Sequence, residues 1–247
     1  MNRRRLNAYS FVVHSVCTGA AFFQWRGIIA ALLAMLLLGT GGYFTRLYRH
    51  DAFFRNEVAL RLYALSSSPH DRKLLLIGDS NVGLMPCAGD FAGWRILKLG
   101  VAGARSGPML GYIRAHAQAW PHFDAAILWI GINDLRFDQG NGTEVARNVL
   151  ATLGELATVS DRLAVMRQAA LPDRADAALS ARVDREVVAM NTQIAEATRP
   201  KEAAVIAPFP NEAGTDPEDF ESDGLHLDAR GYARACAEAG RWLSGHE

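Results

Sequence analysis

Two short segments of this chain hold residue types that together could carry out covalent acyl chemistry: Ile77-Gly78-Asp79-Ser80-Asn81, and, far downstream, Asp223-Gly224-Leu225-His226. A serine hydroxyl is a weak nucleophile until a positioned imidazole takes its proton. The imidazole works best when a carboxylate fixes its tautomer and stabilises its charged form. Ser80, His226 and Asp223 supply those three functions, and the chemistry they imply is that of a serine hydrolase. Each segment alone is weak: Gly-Asp-Ser occurs in many turns, and Asp-x-x-His also describes a helix cap beside a surface histidine.

The surrounding pattern strengthens the reading. Ser80 follows Lys73 to Ile77, a short apolar run rich in strand formers, and Gly78 suits a tight turn that lifts a side chain off the strand's carboxyl end. In an open parallel sheet, sites form along that edge. Leu99-Gly100-Val101-Ala102-Gly103 follows a second apolar run, from Trp94 to Leu99. Gly131-Ile132-Asn133-Asp134 follows a third, from Ala125 to Ile130.

In order, Gly78-Asp79-Ser80, Gly103, Gly131-x-Asn133-Asp134 and Asp223-x-x-His226 resemble the four sequence blocks of the SGNH hydrolases, or GDSL esterases and lipases, over roughly residues 72 to 243. The resemblance implies Ser80 as nucleophile, His226 as general base and then general acid, and Asp223 as the group orienting His226. It implies an oxyanion hole made by the backbone N–H of Ser80, the backbone N–H of Gly103 and the side-chain amide of Asn133. A glycine lets the backbone approach substrate closely, and an asparagine amide offers a fixed N–H dipole without a titrating charge. No metal and no organic cofactor is implied. Two positions depart from the family pattern: Asn81, where leucine is commoner, and Lys98, where many members carry asparagine. The Gly-x-Ser-x-Gly elbow of the α/β-hydrolases is absent, although that fold shares the chemistry.

The elements needed to position these blocks can be read along the chain. Arg162 to Met166 and Ala203 to Ala207 bring the predicted strands to five. Helices are expected over Pro108 to Gln118, Thr143 to Thr158, Ala177 to Ala197 and Asp228 to Leu243. Strands alternating with helices predict a doubly wound α/β fold, a three-layer α/β/α sandwich with a parallel sheet. The family resemblance implies flavodoxin-like topology. Other residues have plain readings: the tryptophans Trp94, Trp120, Trp129 and Trp242 as packing, Asp134 as a brace for its own turn, and Arg105 as half of a solvated ion pair. His116 and His122 have no partner at a telling spacing. Thr143 reads as a helix N-cap within the sequon Asn141-Gly142-Thr143.

A formal net charge of zero conceals an asymmetry. Residues 1–50 hold six arginines and no carboxylates, which leaves 20 basic against 26 acidic residues in 51–247. An acidic domain without a basic tract is a poor nucleic-acid binder, because that affinity rests largely on Lys and Arg neutralising phosphates. The arginines flank an uncharged run from Gly27 to Phe44, long enough to just span a bilayer. The expected organisation is a basic segment (1–26), a transmembrane signal anchor (27–44), a linker with a lead-in helix (45–71) and the hydrolase domain (72–247). A cleaved signal peptide and a buried or amphipathic helix are alternatives for the apolar run. The anchor reading places the protein in a bacterial inner membrane as a single-pass protein with the catalytic domain outside the cytoplasm. Of the cysteines Cys17, Cys87 and Cys236, the last two could pair in an oxidising compartment; two separately buried thiols is the plainer expectation.

The function expected is serine ester hydrolysis on a small-molecule or carbohydrate ester, such as envelope O-acetyl groups, or on a lipid or thioester. A carbohydrate O-acyltransferase with the same triad and a non-catalytic scaffold of the same fold are the alternatives.

Overall fold

The computed structural model describes residues 40, 42, 43, 45–47, 49–86, 91, 93–172, 177–198, 203–209 and 216–245. The basic segment 1–26, nearly all of the apolar run 27–44, Cys17 and Cys87 lie outside them. Among the described residues, no helix is long and apolar enough to cross a membrane. The chain divides into two compact units, one ending at Arg55 and the other running from Asn56.

The second unit is built on five parallel strands: β1 (Arg72–Gly78), β2 (Trp94–Gly100), β3 (Ala125–Trp129), β4 (Leu163–Met166) and β5 (Ala204–Ile206). Their order is β2-β1-β3-β4-β5, the flavodoxin-like arrangement. All five expected strands are present, each within one residue of the expected bounds at either end. The register places Gly78 beside Gly100 on one flank and beside Trp129 on the other, so three strand ends finish level. Consecutive residues of β3 and β4 are all buried, and so are the last five of β1. A strand hidden on both sides requires helices on both faces of the sheet, which gives the expected three layers.

The helices are α1 (Ala52–Ser66), α2 (Ser80–Leu84), α3 (Ser106–His116), α4 (Ile132–Phe137), α5 (Gly142–Leu156), α6 (Ala177–Ala197) and α7 (Ala229–Ser244). The helix α6 spans the residues expected of it, and α3, α5 and α6 pack side by side. Asn141, not Thr143, caps α5: its side chain accepts from the N–H groups of Thr143 and Glu144. The cap sits two positions earlier because a side-chain oxygen reaches N–H groups two and three residues ahead of it.

The helix α1 is tied into the unit by Asn56, Leu60 and Tyr63, the buried stripe of its inner face. The Glu57 carboxylate accepts from Tyr112 Oη (2.9 Å) and Trp120 Nε1 (3.2 Å). Tyr63 stacks on Phe123 and donates its hydroxyl to Arg95 O at 2.7 Å. Burial pushes the Tyr63 phenol up to about 12, so it stays a neutral donor. Tyr63→Phe leaves the Arg95 carbonyl without this partner and is expected to cost about 1 kcal/mol, or roughly 2–4 °C in Tm for a domain of this size. Denaturant unfolding of the two proteins checks it; equal midpoints would mean that the bond contributes nothing. Two tryptophans serve as packing surfaces, with Arg72 over Trp94 (4.2 Å) and Arg162 over Trp242 (4.8 Å).

Cys236 lies buried on α7 and is disulfide-bonded, with its partner outside the described residues. The expectation of separate thiols is thereby corrected. No spacing rule in the sequence separates a buried thiol from a paired one, because pairing depends on which surfaces the fold brings together.

Candidate active site

Ser80 begins α2 directly beyond β1, and Asp79 is the cap of that helix, its Oδ1 accepting from Asn81 N at 2.9 Å. The glycine before it serves a different purpose from the expected turn. Gly78 has no left-handed backbone; a β carbon there would lie 1.8 Å from Trp129 O, the same carbonyl that accepts from Asp79 N at 3.2 Å. The glycine is needed because two strands approach closely just before the serine.

His226 arrives from the other end of the sequence and meets Ser80 through space. Its Nε2 lies 2.9 Å from Ser80 Oγ, and its Nδ1 lies 2.6 Å from Asp223 Oδ2. An ionised carboxylate only accepts, so Nδ1 carries the ring proton and Nε2 presents its lone pair to the serine hydroxyl. Partial burial pushes the Asp223 carboxyl up, but hydrogen bonds from Leu225 N, His226 N and the His226 ring outweigh it and hold the group below the usual carboxylate range. The Asp223 carboxyl therefore stays anionic.

The loop that carries both residues is closed on itself. Phe220 and Leu227 form an antiparallel bridge, and Glu221 N donates to His226 O at 2.8 Å. Beneath it the fully buried Asp219 accepts from Arg230 Nε and Arg234 Nη1, both at 2.8 Å, and so fastens the loop to α7. Asp216 and Glu218 also pair with Arg230. None of these supports was singled out in the sequence, because the partners are 11 to 15 residues apart and only the fold brings them together.

The other two blocks end β2 and β3 beside Ser80. Gly103 has φ +71°, and nothing stands within 4 Å of where its β carbon would be, so its backbone faces open space. Asn133 is buried, and its Nδ2 donates to Ala104 O at 3.0 Å, one of the two N–H bonds its amide offers. Asp134 reaches away from its own turn. Its carboxylate accepts from Ser106 N (2.9 and 3.1 Å) and Ser106 Oγ (2.8 Å), across to the N-terminus of α3. Burial pushes its carboxyl up, and the bonds from Ser106 oppose that shift.

The departures from the family pattern also find partners. Asn81 is buried with Tyr232 Oη 3.4 Å from its Oδ1, and Lys98 Nζ donates to Met85 O at 2.8 Å, joining β2 to the end of α2. Tyr232 was not singled out in the sequence; burial, then the charges of Asp79 and Asp223, push its phenol upward. Arg105 pairs with Asp138 as expected, and Arg136 donates to Asp223 O at 3.3 Å. His122 lies 2.9 Å from Asp161 on the surface, and His116 lies 3.8 Å from Glu57; neither joins the triad residues.

The arrangement thus places a hydroxyl, an imidazole and a carboxylate in one hydrogen-bonded line, beside backbone and amide donors on two neighbouring strand ends. The family described as GDSL-like lipase/acylhydrolase matches residues 86–234, a stretch that includes Gly103, Asn133, Asp223 and His226 and begins after Ser80. No curated protein matches the chain. Among solved structures, a Streptococcus pneumonia protein whose name refers to platelet activating factor is 21% identical, with a TM-score of 0.63 over 85% of this chain and 99% of its own. A GDSL-like lipase from Bacteroides thetaiotaomicron is 15% identical, with a TM-score of 0.60 over 79% and 100%. An acetyl-xylooligosaccharide esterase from Geobacillus Stearmophilus is 17% identical, with a TM-score of 0.51 over 70% and 94%. At these identities the likeness is one of fold.

Proposed function

The chain belongs to the GDSL-like lipase/acylhydrolase family, and on that premise we propose that it is a serine ester hydrolase working through an acyl-enzyme, with Ser80 as nucleophile, His226 as base and Asp223 as its orienting group. The observation that carries this reading is the unbroken Ser80–His226–Asp223 line, with contacts of 2.9 and 2.6 Å. Both lie within or at the reach needed for proton transfer.

Ser80 Oγ attacks the ester carbonyl carbon as its proton passes to His226 Nε2. The carbonyl π electrons move to oxygen, and the resulting oxyanion is met by Ser80 N–H, Gly103 N–H and the Asn133 amide. When the tetrahedral intermediate collapses, the C–O bond breaks and His226 returns its proton to the departing alcohol. Water then attacks acyl-Ser80 with His226 again as base, and the acid leaves as the Ser80 hydroxyl is restored.

The substrate class proposed is a short acyl ester, foremost an O-acetyl group of envelope carbohydrate. Lipid and thioester substrates fit the same chemistry. This rests on location: the run 27–44 flanked by arginines reads as a membrane anchor, and the Cys236 disulfide fits an oxidising compartment outside the cytoplasm.

The test is hydrolysis of p-nitrophenyl acetate, butyrate and octanoate by the purified protein, together with mass analysis after treatment with a fluorophosphonate. Turnover greatest on acetate and a phosphonyl adduct on Ser80 are expected. A folded protein with neither turnover nor adduct overturns the reading. Acyl transfer to an added oligosaccharide that outpaces transfer to water would instead make it an O-acyltransferase using the same serine.

A further inference from the structure

The loop between Gly100 and α3 contributes Gly103 to the proposed oxyanion hole; it forms a turn of its own, closed by Ala104 N donating to Val101 O at 3.0 Å with Gly103 at φ +71°. That turn is held against the rest of the site from outside at three points. Val101 N donates to Gly78 O at 3.0 Å, which ties the loop to the strand that delivers Ser80. Ala104 O accepts from Asn133 Nδ2 at 3.0 Å, which ties it to the other oxyanion donor. The third point is the Asp134 carboxylate, which receives both the N–H and the hydroxyl of Ser106.

That third contact is unusual in its logic. The residue at the cap position of α3 is Arg105, whose side chain makes no capping bond and pairs with Asp138 instead. The first N–H of α3 is satisfied by a carboxylate 28 positions away, on the segment that also presents Asn133. An anion at a helix N-terminus is electrostatically favoured, so the helix end and the carboxylate hold each other. Ser106 is fully buried, and its Oγ also accepts from Asn148 Nδ2 on α5 at 3.1 Å, which fixes the rotor.

We propose that Asp134 and Ser106 are positioning residues for ester hydrolysis: their three hydrogen bonds lock the Gly103 loop to the Asn133 segment, so that the two oxyanion donors form one rigid cradle. The inference rests on the acyl-enzyme reading above. Asn133 alone cannot perform this task, because the amide that grips Ala104 O is the same group that must face the oxyanion. With Asp134 bearing the load of alignment, the Asn133 amide keeps its second N–H in register with Gly103 N–H. A displacement of about 1 Å in such a donor costs on the order of a hundredfold in rate.

The experiment measures kcat and KM for p-nitrophenyl acetate, and the rate of Ser80 phosphonylation by a fluorophosphonate, in full-length wild type, D134A, D134N, S106A and the D134A/S106A double variant. D134A is expected to lower kcat by about a hundredfold and S106A by about tenfold, with KM within about threefold and phosphonylation slowed in parallel. D134N retains an acceptor for Ser106 N–H and recovers part of the loss. The double variant is no slower than D134A, because both substitutions break one connection. Unchanged kcat in folded S106A and D134N overturns the proposal, as does a loss that falls on KM alone or full additivity in the double variant. If D134A does not fold, S106A and D134N decide the matter, since each leaves the backbone donor in place. Wild-type protein that shows no Ser80-dependent turnover or labelling overturns the acyl-enzyme reading itself, and this proposal with it; an active wild type with indifferent variants overturns only the proposal.

Discussion

Replacing His226 with alanine is expected to lower kcat for p-nitrophenyl acetate by about six orders of magnitude, and Ser80→Ala by about the same factor. The equality follows from geometry. Nε2 of His226 is 2.9 Å from Ser80 Oγ, so on the proposed mechanism every proton that His226 moves belongs to a step that makes or breaks the bond to Ser80. Removing either leaves the other without a task, and the double variant should be no worse than the singles. Asp223→Ala should cost less, about 10²–10⁴, since it acts through the ring's tautomer and charge. Its side chain is 47% exposed, so water can replace part of what it does. The comparison requires kcat for the three single variants and the Ser80/His226 double. A His226→Ala protein that retains a hundredth of wild-type turnover would place the base elsewhere.

Asp79 should make the fold less stable as pH rises, the reverse of the usual carboxylate effect. The group is fully buried, one of its oxygens has no hydrogen-bond partner, and burial pushes it from 3.8 to about 7 against the opposing bond from Asn81 N, with the Asp134 charge adding to the rise. Between these two values the native protein holds a proton that the unfolded chain has released. Unfolding therefore releases a proton in this window, and stability falls with increasing pH until it levels off above about 7. At about 1.4 kcal/mol per pH unit, the whole change amounts to roughly 4 kcal/mol. Asp79→Asn keeps an oxygen for Asn81 N–H but carries no ionisation, so it should lack this slope and exceed wild type by several kcal/mol at pH 8. Denaturant unfolding of both proteins from pH 4 to pH 8 gives the answer, and parallel stability curves would show that Asp79 does not titrate in this way.

The parts of the molecule that were legible in the sequence are those written in local pattern. The strands showed as apolar runs, and α6 showed as a long amphipathic stretch whose ends fell where the pattern stopped. The Ser80, Asn133, Asp223 and His226 blocks were legible because their residue types recur in a fixed order. The helices α2 and α4 were not, since five or six residues do not complete two turns and leave no period to detect. Asp134 was read as bracing its own turn because an aspartate after Gly-x-Asn has a local role available. Only the fold brings Ser106 within its reach, 28 residues away. The same holds for Asp219, whose Arg230 and Arg234 partners lie 11 and 15 residues on, and for Tyr232, whose contact with Asn81 spans 151 residues. Gly78 was recognised as necessary but for the wrong reason: a turn is a property of neighbours along the chain, whereas the carbonyl it accommodates belongs to Trp129, on the next strand.

The 146 positions that separate Ser80 from His226 set an order of events during synthesis. A growing chain presents Ser80, the Gly103 loop and Asn133 long before His226 exists, and domains generally fold from the amino end as they emerge. His226 then comes fastened to α7 through Asp219, so it is delivered when that helix docks. On the proposed roles, the Ser80 hydroxyl has no base until then. Docking of α7 thus completes the Ser80–His226–Asp223 line, and freeing that helix would break it.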